Sequence, residues 1–433
     1  MIAIEYGPPD IRVKFYAAKD TQQYAVSLTE ILGRKGLRAL RADLALNDTA
    51  IDRFETFLQD LFERWLAEKP HELLNIDSSA LMHSLRLALA AKNFSAPEGE
   101  RWPQTDLTTS SRKLKAVAQV KPDPVEEEPY LKESDLIEWK KQVAQVVMAM
   151  DDLTADVLDF ISDVWLEQAD HHGDMVTITA DEFLRSRDLT PKMGGAGRRG
   201  GYHDSQRREF GRQIGVLSNT WIRVFERDVT ELAQGKKGPY RKQTKWAGES
   251  RAVVVSSRVG PTTPAGGLDP YAWRIRPGDV FTKFLLGPGR QTALISHKAL
   301  RYDPYRQKWE KRLTRYLAYI WRIRQSRRDY AAPFAVRALL QGIGQQVDKN
   351  DPKRTKGRMA KALDQLQQDG VIAAWNYESA NEAIVGQRGW WKDWLNWKVV
   401  IEPPSEITAH YAQIQLPMPE RKALPAPGGK LDG

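Results

Sequence analysis

The chain of 433 residues contains no cysteine. That absence excludes disulfides, thiolate nucleophiles and cysteine-ligated zinc. Its histidines are few and scattered, at His71, His83, His171, His172, His203, His297 and His410. His171 and His172 are adjacent, so they cannot face one side of a strand as the His-hydrophobic-His metal pair of rolling-circle nucleases must. A polar turn before Met175 accounts for them. Neither Gly-x-Ser-x-Gly nor His-Glu-x-x-His occurs, and no carboxylate set clusters as catalysis would need. The glycine-rich stretch from Met193 to Tyr202 lacks the Gly-Lys-Ser/Thr of a phosphate-binding loop. The sequence therefore predicts no enzyme, no metal and no cofactor. No run approaches the roughly 20 apolar residues of a membrane span. The start, MIAIEYGPPDIRVKF, has no basic region followed by an apolar run and a cleavage site. The expected compartment is the cytoplasm, with no membrane partner.

What is present is positive charge, unevenly placed. The net charge is +9, with an isoelectric point near 9.4, which points to an acidic partner such as nucleic acid. Residues 301–361 hold 17 Lys/Arg against 5 Asp/Glu, so everything outside that window sums to −3. The expectation is a local basic binding face. With 41% hydrophobic and 28% charged residues the chain reads as globular, and its length suggests two to four domains.

Composition divides it. Residues 1–95 read as an extended start (Ile11 to Tyr16) and then a mostly helical domain. Within it Ile51, Phe54, Leu58, Leu61, Phe62 and Trp65 recur at helical spacing, as core packing or a dimerisation face. Residues 96–134 are polar, proline-containing and aperiodic, and are expected to be a disordered linker. Residues 135–300 and 301–402 share one order of elements. Residues 403–433 read as a disordered tail. The predicted fold class is α+β, mainly helical, with two winged helix-turn-helix domains in tandem after a helical N-terminal domain.

The clearer of the two is the second. Leu313, Tyr316, Leu317, Ile320 and Trp321 make one face of a first helix. Pro333 opens a short second helix with Val336, Leu339, Leu340 and Ile343 inward. Asp351-Pro352 is a helix start, with an N-cap acceptor and a proline at the first helical position, and Gly370 is a C′ stop. At 100° per residue, Met359, Ala360, Leu363 and Leu366 face inward. Arg354, Arg358, Lys361 and Gln365 face outward, with no compensating acid on that side. Lys353 and Lys356 extend the basic character of the helix. Cations and an amide in such a row suit phosphates, guanine edges and adenine edges. Val371 to Trp375 and Trp394 to Ile401 read as the two strands of a hairpin, or wing, with Arg388 and Lys392 in or beside its loop. Trp390 and Trp391 either pack under that wing or stack on bases, packing being the plainer reading. An ordinary solvated helix face is the bland alternative for the basic row. The capping, the uniform sign and the following hairpin favour DNA contact.

The first repeats the pattern less cleanly. Leu153, Val157, Phe160, Ile161, Val164 and Trp165 form a first helix. Met175 to Ile178 is a short strand, and Thr179-x-x-Glu182 fits a capping box. Asp204 is expected to cap a third helix with Phe210, Ile214 and Leu217 inward and Ser205, Arg208 and Arg212 outward. Trp221 to Phe225, Ala252 to Ser256 and Trp273 to Ile275 complete a larger wing. Residues 235–251, which include Lys242 and Lys245, read as a long wing loop along phosphates. Arg198 and Arg199 sit in the glycine-rich stretch, which is either an arm reaching DNA or a flexible connector. Residues 151–190 carry 11 Asp/Glu against 2 Lys/Arg, and that acid has to face away from DNA.

DVLDFISDVWLEQ opening one module and RLTRYLAYIWRIR the next, together with LTPK…GRRGGY…QRREF, resemble the tandem winged-helix replication initiators of theta-replicating plasmids. The resemblance covers roughly residues 150–402 and rests mainly on architecture. It implies sequence-specific binding of double-stranded DNA at repeated origin sequences, recruitment of a host initiator and helicase, and a homodimer or monomer–dimer equilibrium. The 95-residue N-terminal block and the linker have no counterpart in the minimal family plan. A winged-helix transcriptional regulator and a charge-only DNA scaffold are the rival readings.

Overall fold

The computed structural model describes residues 2–7, 10–16, 23–27, 73–107, 114–122, 133–192, 201–235, 238–263, 267–286 and 290–414. Two units separate, Met1–Glu72 and Leu73–Gly433, so the boundary falls well before residue 95. In the first unit the described residues form three antiparallel strands, β1 (Ile2–Gly7), β2 (Asp10–Tyr16) and β3 (Gln23–Ser27). The extended start is thus a small sheet. The amphipathic stretch Asn47 to Lys69 lies outside the described residues.

The second unit begins with β4 (Leu73–Asp77) and α1 (Ala80–Ala91). The expected linker is structured in part, as β5 (Gln104–Asp106) and β6 (Leu114–Val120). Ala116, Ala118 and Val120 alternate into the core, the period-2 pattern of a half-buried strand. β6 pairs with β5 on one edge and, on the other, with a strand that starts at Thr220, so local composition could not reveal that second pairing. Then follows α2 (Glu133–Ala149).

A set of helices and strands comes next: α3 (Asp152–Gln168), β7 (Val176–Thr179), α4 (Ala180–Ser186), α5 (Asp204–Ser218), β8 (Thr220–Gly235), β9 (Gly238–Arg251), β10 (Val253–Val259) and β11 (Ala272–Pro277). Thr179 and Glu182 satisfy each other's backbone N–H groups at the start of α4. His203, not Asp204, is the N-cap of α5. The stretch expected to be a wing loop is β9, laddered to β8 from Trp221↔Arg251 to Gly235↔Gly238. After α6 (Asp279–Leu285), β12 (Thr292–Ser296, paired with β4) and α7 (Lys298–Arg301), the order recurs. It runs through α8 (Lys308–Arg324), β13 (Phe334–Ala335), α9 (Val336–Gly342), α10 (Pro352–Gln368), β14 (Ala374–Ser379), α11 (Trp391–Trp394) and β15 (Lys398–Glu402). Both sets place the last strand in the middle of a three-stranded sheet, β10-β11-β7 and β13-β15-β14. The strand after α10 starts at Ala374 and not at Val371, whose side chain is buried with Ile372 ahead of it. Trp391–Trp394 is helical, because Trp390, Trp394 and Trp397 turn into the core beneath the sheet. Part of the expected tail is α12 (Ser405–Ile414), held by Ile407 and Tyr411, one helical turn apart and both buried.

The two sets have separate apolar cores. The contact between α3 and α8 is ionic. Arg312 Nε and Nη2 donate to Asp152 Oδ1 and Oδ2, each at 2.8 Å. Arg315 Nε donates to Asp159 Oδ2 at 2.6 Å and Nη2 donates to Asp156. Lys311 Nζ lies 2.9 Å from Asp156 Oδ2, and Arg86 Nε of α1 donates to Asp159 Oδ1 at 2.8 Å. All of these groups are buried. Three of the eleven acids of residues 151–190, Asp152, Asp156 and Asp159, lie here, and with them three of the cations in the 301–361 window. The basic face is therefore smaller than the charge count implied.

Candidate nucleic-acid interface

α10 starts where the backbone demands it. The Asp351 carboxylate accepts from Arg354 N–H at 3.0 Å, Pro352 occupies the first turn, and Gly370, at φ +71°, takes the left-handed position after the end. Its inner face is Thr355, Met359, Ala362, Leu363 and Leu366. The turn before it is pinned, since Asp348 N–H donates to Thr355 Oγ1 at 3.1 Å and Asp348 Oδ1 accepts from Asn350 N–H at 2.9 Å.

The outward row is not uniform. Lys353, Arg354 and Lys361 are exposed, and none of the three makes an ion pair among the described residues. Arg358 is different. Its Nη1 and Nη2 donate to Glu310 Oε1 and Oε2 at 2.7 and 2.6 Å, and its guanidinium stands 5.9 Å from the Trp309 ring. The face expected to lack acid thus receives one from α8. Gln365 is also engaged, donating to Asp369 Oδ2 at 2.9 Å. Lys356 pairs with Glu382 at 2.7 Å and lies 5.2 Å from the Trp397 ring, which ties α10 to the hairpin. Lys353 Nζ reaches the hairpin loop at Gly386, where an added Cβ would meet it at 3.3 Å. Arg388 and Lys392 are exposed in that loop, Lys392 at 5.9 Å from the Trp391 ring.

An open groove of about 590 Å³ runs along this face, lined by Trp309, Gln345, Gln346, Arg354, Arg358 and Lys361 among others. Gly357 lies on its floor, and a Cβ there would meet nothing within 4 Å. The bare backbone between three cations lets a bulky anion approach closely. Sequence reading missed Trp309, Gln345 and Gln346. They come from the start of α8 and from the connection ahead of α10, and no local pattern links them to the row.

On α5 each described cation has an acid beside it. Arg207 donates to both Asp181 oxygens, at 2.6 and 2.8 Å, Arg208 lies 3.3 Å from Asp269, and Arg212 pairs with Glu209. The Arg207 pair holds the Asp181 carboxyl below its ordinary range. Ser205 is exposed at the start of the helix, and Lys245 is exposed on β9. Arg198, Arg199 and the Lys242 side chain lie outside the described residues.

No protein-family model matches the chain, and no curated protein matches it. The crystal structure of domain 2 and domain 3 of RctB, in selenomethionine form, is similar over 73% of this chain and 98% of that one, at 12% identity and a TM-score of 0.35. That likeness is too slight to carry an argument. Among the described residues no helix is long and apolar enough to cross a membrane.

Proposed function

We propose that the chain is a sequence-specific double-stranded DNA-binding protein built on two winged-helix modules, and that it serves as a replication initiator at repeated origin sequences. The observation that carries the DNA-binding reading is the outer face of α10. Arg354 and Lys361 flank Gly357 on a helix capped at both ends and buried on its other side, with the exposed Arg388 and Lys392 in the segment that joins β14 to β15. In that reading α10 lies in the major groove, Arg354 and Lys361 address base edges or phosphates, and Arg388 and Lys392 meet the backbone. Arg358, oriented by Glu310, offers its remaining donors in a fixed direction. The repeated element order, with the same sheet order in both sets, supports the winged-helix assignment. The initiator role rests on the sequence resemblance alone.

Selection of bound duplexes from a random pool, followed by footprinting on the DNA flanking the coding sequence, tests both parts. A consensus in the pool, matched by protected direct repeats beside an AT-rich tract, is the expected result. No consensus would remove sequence-specific recognition, and a consensus without flanking repeats would remove the initiator role. Arg354→Ala should relax preference at one base pair by about 1–3 kcal/mol if that side chain reads an edge.

A further inference from the structure

The turn that joins the two modules, residues 303–307, touches both of their third helices or the residues against them. It is a built turn: Asp303 Oδ1 accepts from Tyr305 N–H and Arg306 N–H at 2.8 and 2.7 Å, and Gln307 Oε1 accepts from Asp303 N–H at 3.0 Å. On one side the Tyr305 hydroxyl donates to Asp151 Oδ2 at 3.3 Å, within the field of Glu209 and Arg212 of α5. On the other, Arg358 of α10 donates to the Arg306 carbonyl at 3.4 Å. Yet Tyr305, Arg306 and, at the start of α8, Lys308 face solvent. Tyr305 is 61% exposed, a high value for a large aromatic. Arg306 and Lys308 are exposed, and neither makes an ion pair among the described residues. Asp303 spends its carboxylate on the turn's own backbone.

We propose that this turn is a third DNA contact, one that grips the sugar–phosphate backbone between the two reading helices through Arg306 and Lys308. It rests on the DNA-binding reading above. Two cations suit phosphate oxygens and carry no base preference. They lie between Arg212 of α5 and Arg358 of α10, so a backbone gripped there would run between the two helices.

A salt titration tests this with the full chain on a mixed-sequence DNA duplex several turns long, where phosphate contacts act without any known site. Wild type, R306A/K308A and R354A/K361A are compared. Each lost phosphate contact lowers the steepness of log K against log salt by about 0.9, so the turn variant is expected to lose about 1.8 and to keep the wild-type consensus in selection. Arg306→Lys keeps the charge and should keep the slope. A turn variant that matches wild type in slope and affinity, while R354A/K361A binds more weakly, overturns the third contact and leaves the DNA-binding reading standing. A wild-type chain that fails to bind the duplex at low salt overturns both.

Discussion

Arg358 and Arg354 are one helical turn apart, but they answer to different constraints. Arg358 neutralises Glu310, whose side chain is 5% exposed, whereas Arg354 faces solvent. Arg358→Ala strands a buried carboxylate and should cost about 1–3 kcal/mol of stability in urea unfolding. Arg354→Ala should change it by less than about 0.5 kcal/mol. A DNA-binding defect in the first variant therefore has to be read at matched folded fraction. His83 gives a pH handle. Its ring stacks on Tyr319 at 4.8 Å, and burial, reinforced by the charge of Arg86, lowers its pKa to about 4. The unfolded chain takes up this proton near pH 6.5 and the folded one near 4. The resulting stability is complete above about pH 6.5 and is lost as pH falls towards 4. Between pH 7 and pH 5 the urea midpoint of the wild type should fall further than that of His83→Phe, which keeps a ring and removes the proton site.

At the scale of elements, close approaches and caps decide where the helices lie. Gly342 ends α9 against α8, and a Cβ there would sit 2.3 Å from Tyr316 Cε2. Gly342→Ala must push the two helices apart and should destabilise by about 1–3 kcal/mol in chemical denaturation. Asp351→Ala removes the N-cap acceptor and should cost about 1 kcal/mol. Because Lys353 and Arg354 ride on that first turn, duplex affinity should fall with the melting temperature. Trp390 and Trp394 pack at 6.1 Å between ring centroids, so the segment between β14 and β15 is a packed platform.

For the whole molecule the ionic seam between α3 and α8 is the main organising feature of the second unit. A buried ion pair gains little net stability over apolar packing, but removing one partner leaves an uncompensated charge. Arg312→Met or Asp152→Leu alone should each cost about 3–5 kcal/mol, and the double variant should cost less than their sum. A double-mutant cycle by urea unfolding should return a coupling of about 1–3 kcal/mol; additive losses would show that the seam is not a coupled unit. The seam turns one charged face of α8 inward.

The sequence by itself determined the features whose partners lie within a few residues. The Thr179–Glu182 box, the Asp351-Pro352 start and the Gly370 stop are local because a helix end has to satisfy its backbone groups there. The inward residues of α10 were legible by periodicity, apart from Ala362 standing in for Ala360 and the buried Thr355. Only the tertiary structure decided which charges are surface charges. In sequence Arg315 and Lys361 look alike, but Asp156 and Asp159 bury the first and nothing described covers the second. It also decided that the composition of residues 96–134 hides β5 and β6, and that the basic stretch after residue 235 is a strand. β9 is the return strand of a hairpin with β8, and its polar, cation-rich composition hid it. For β6 and for Arg315 the partner is distant in the chain, so pairing, burial and neutralisation are settled only when the fold brings the two together.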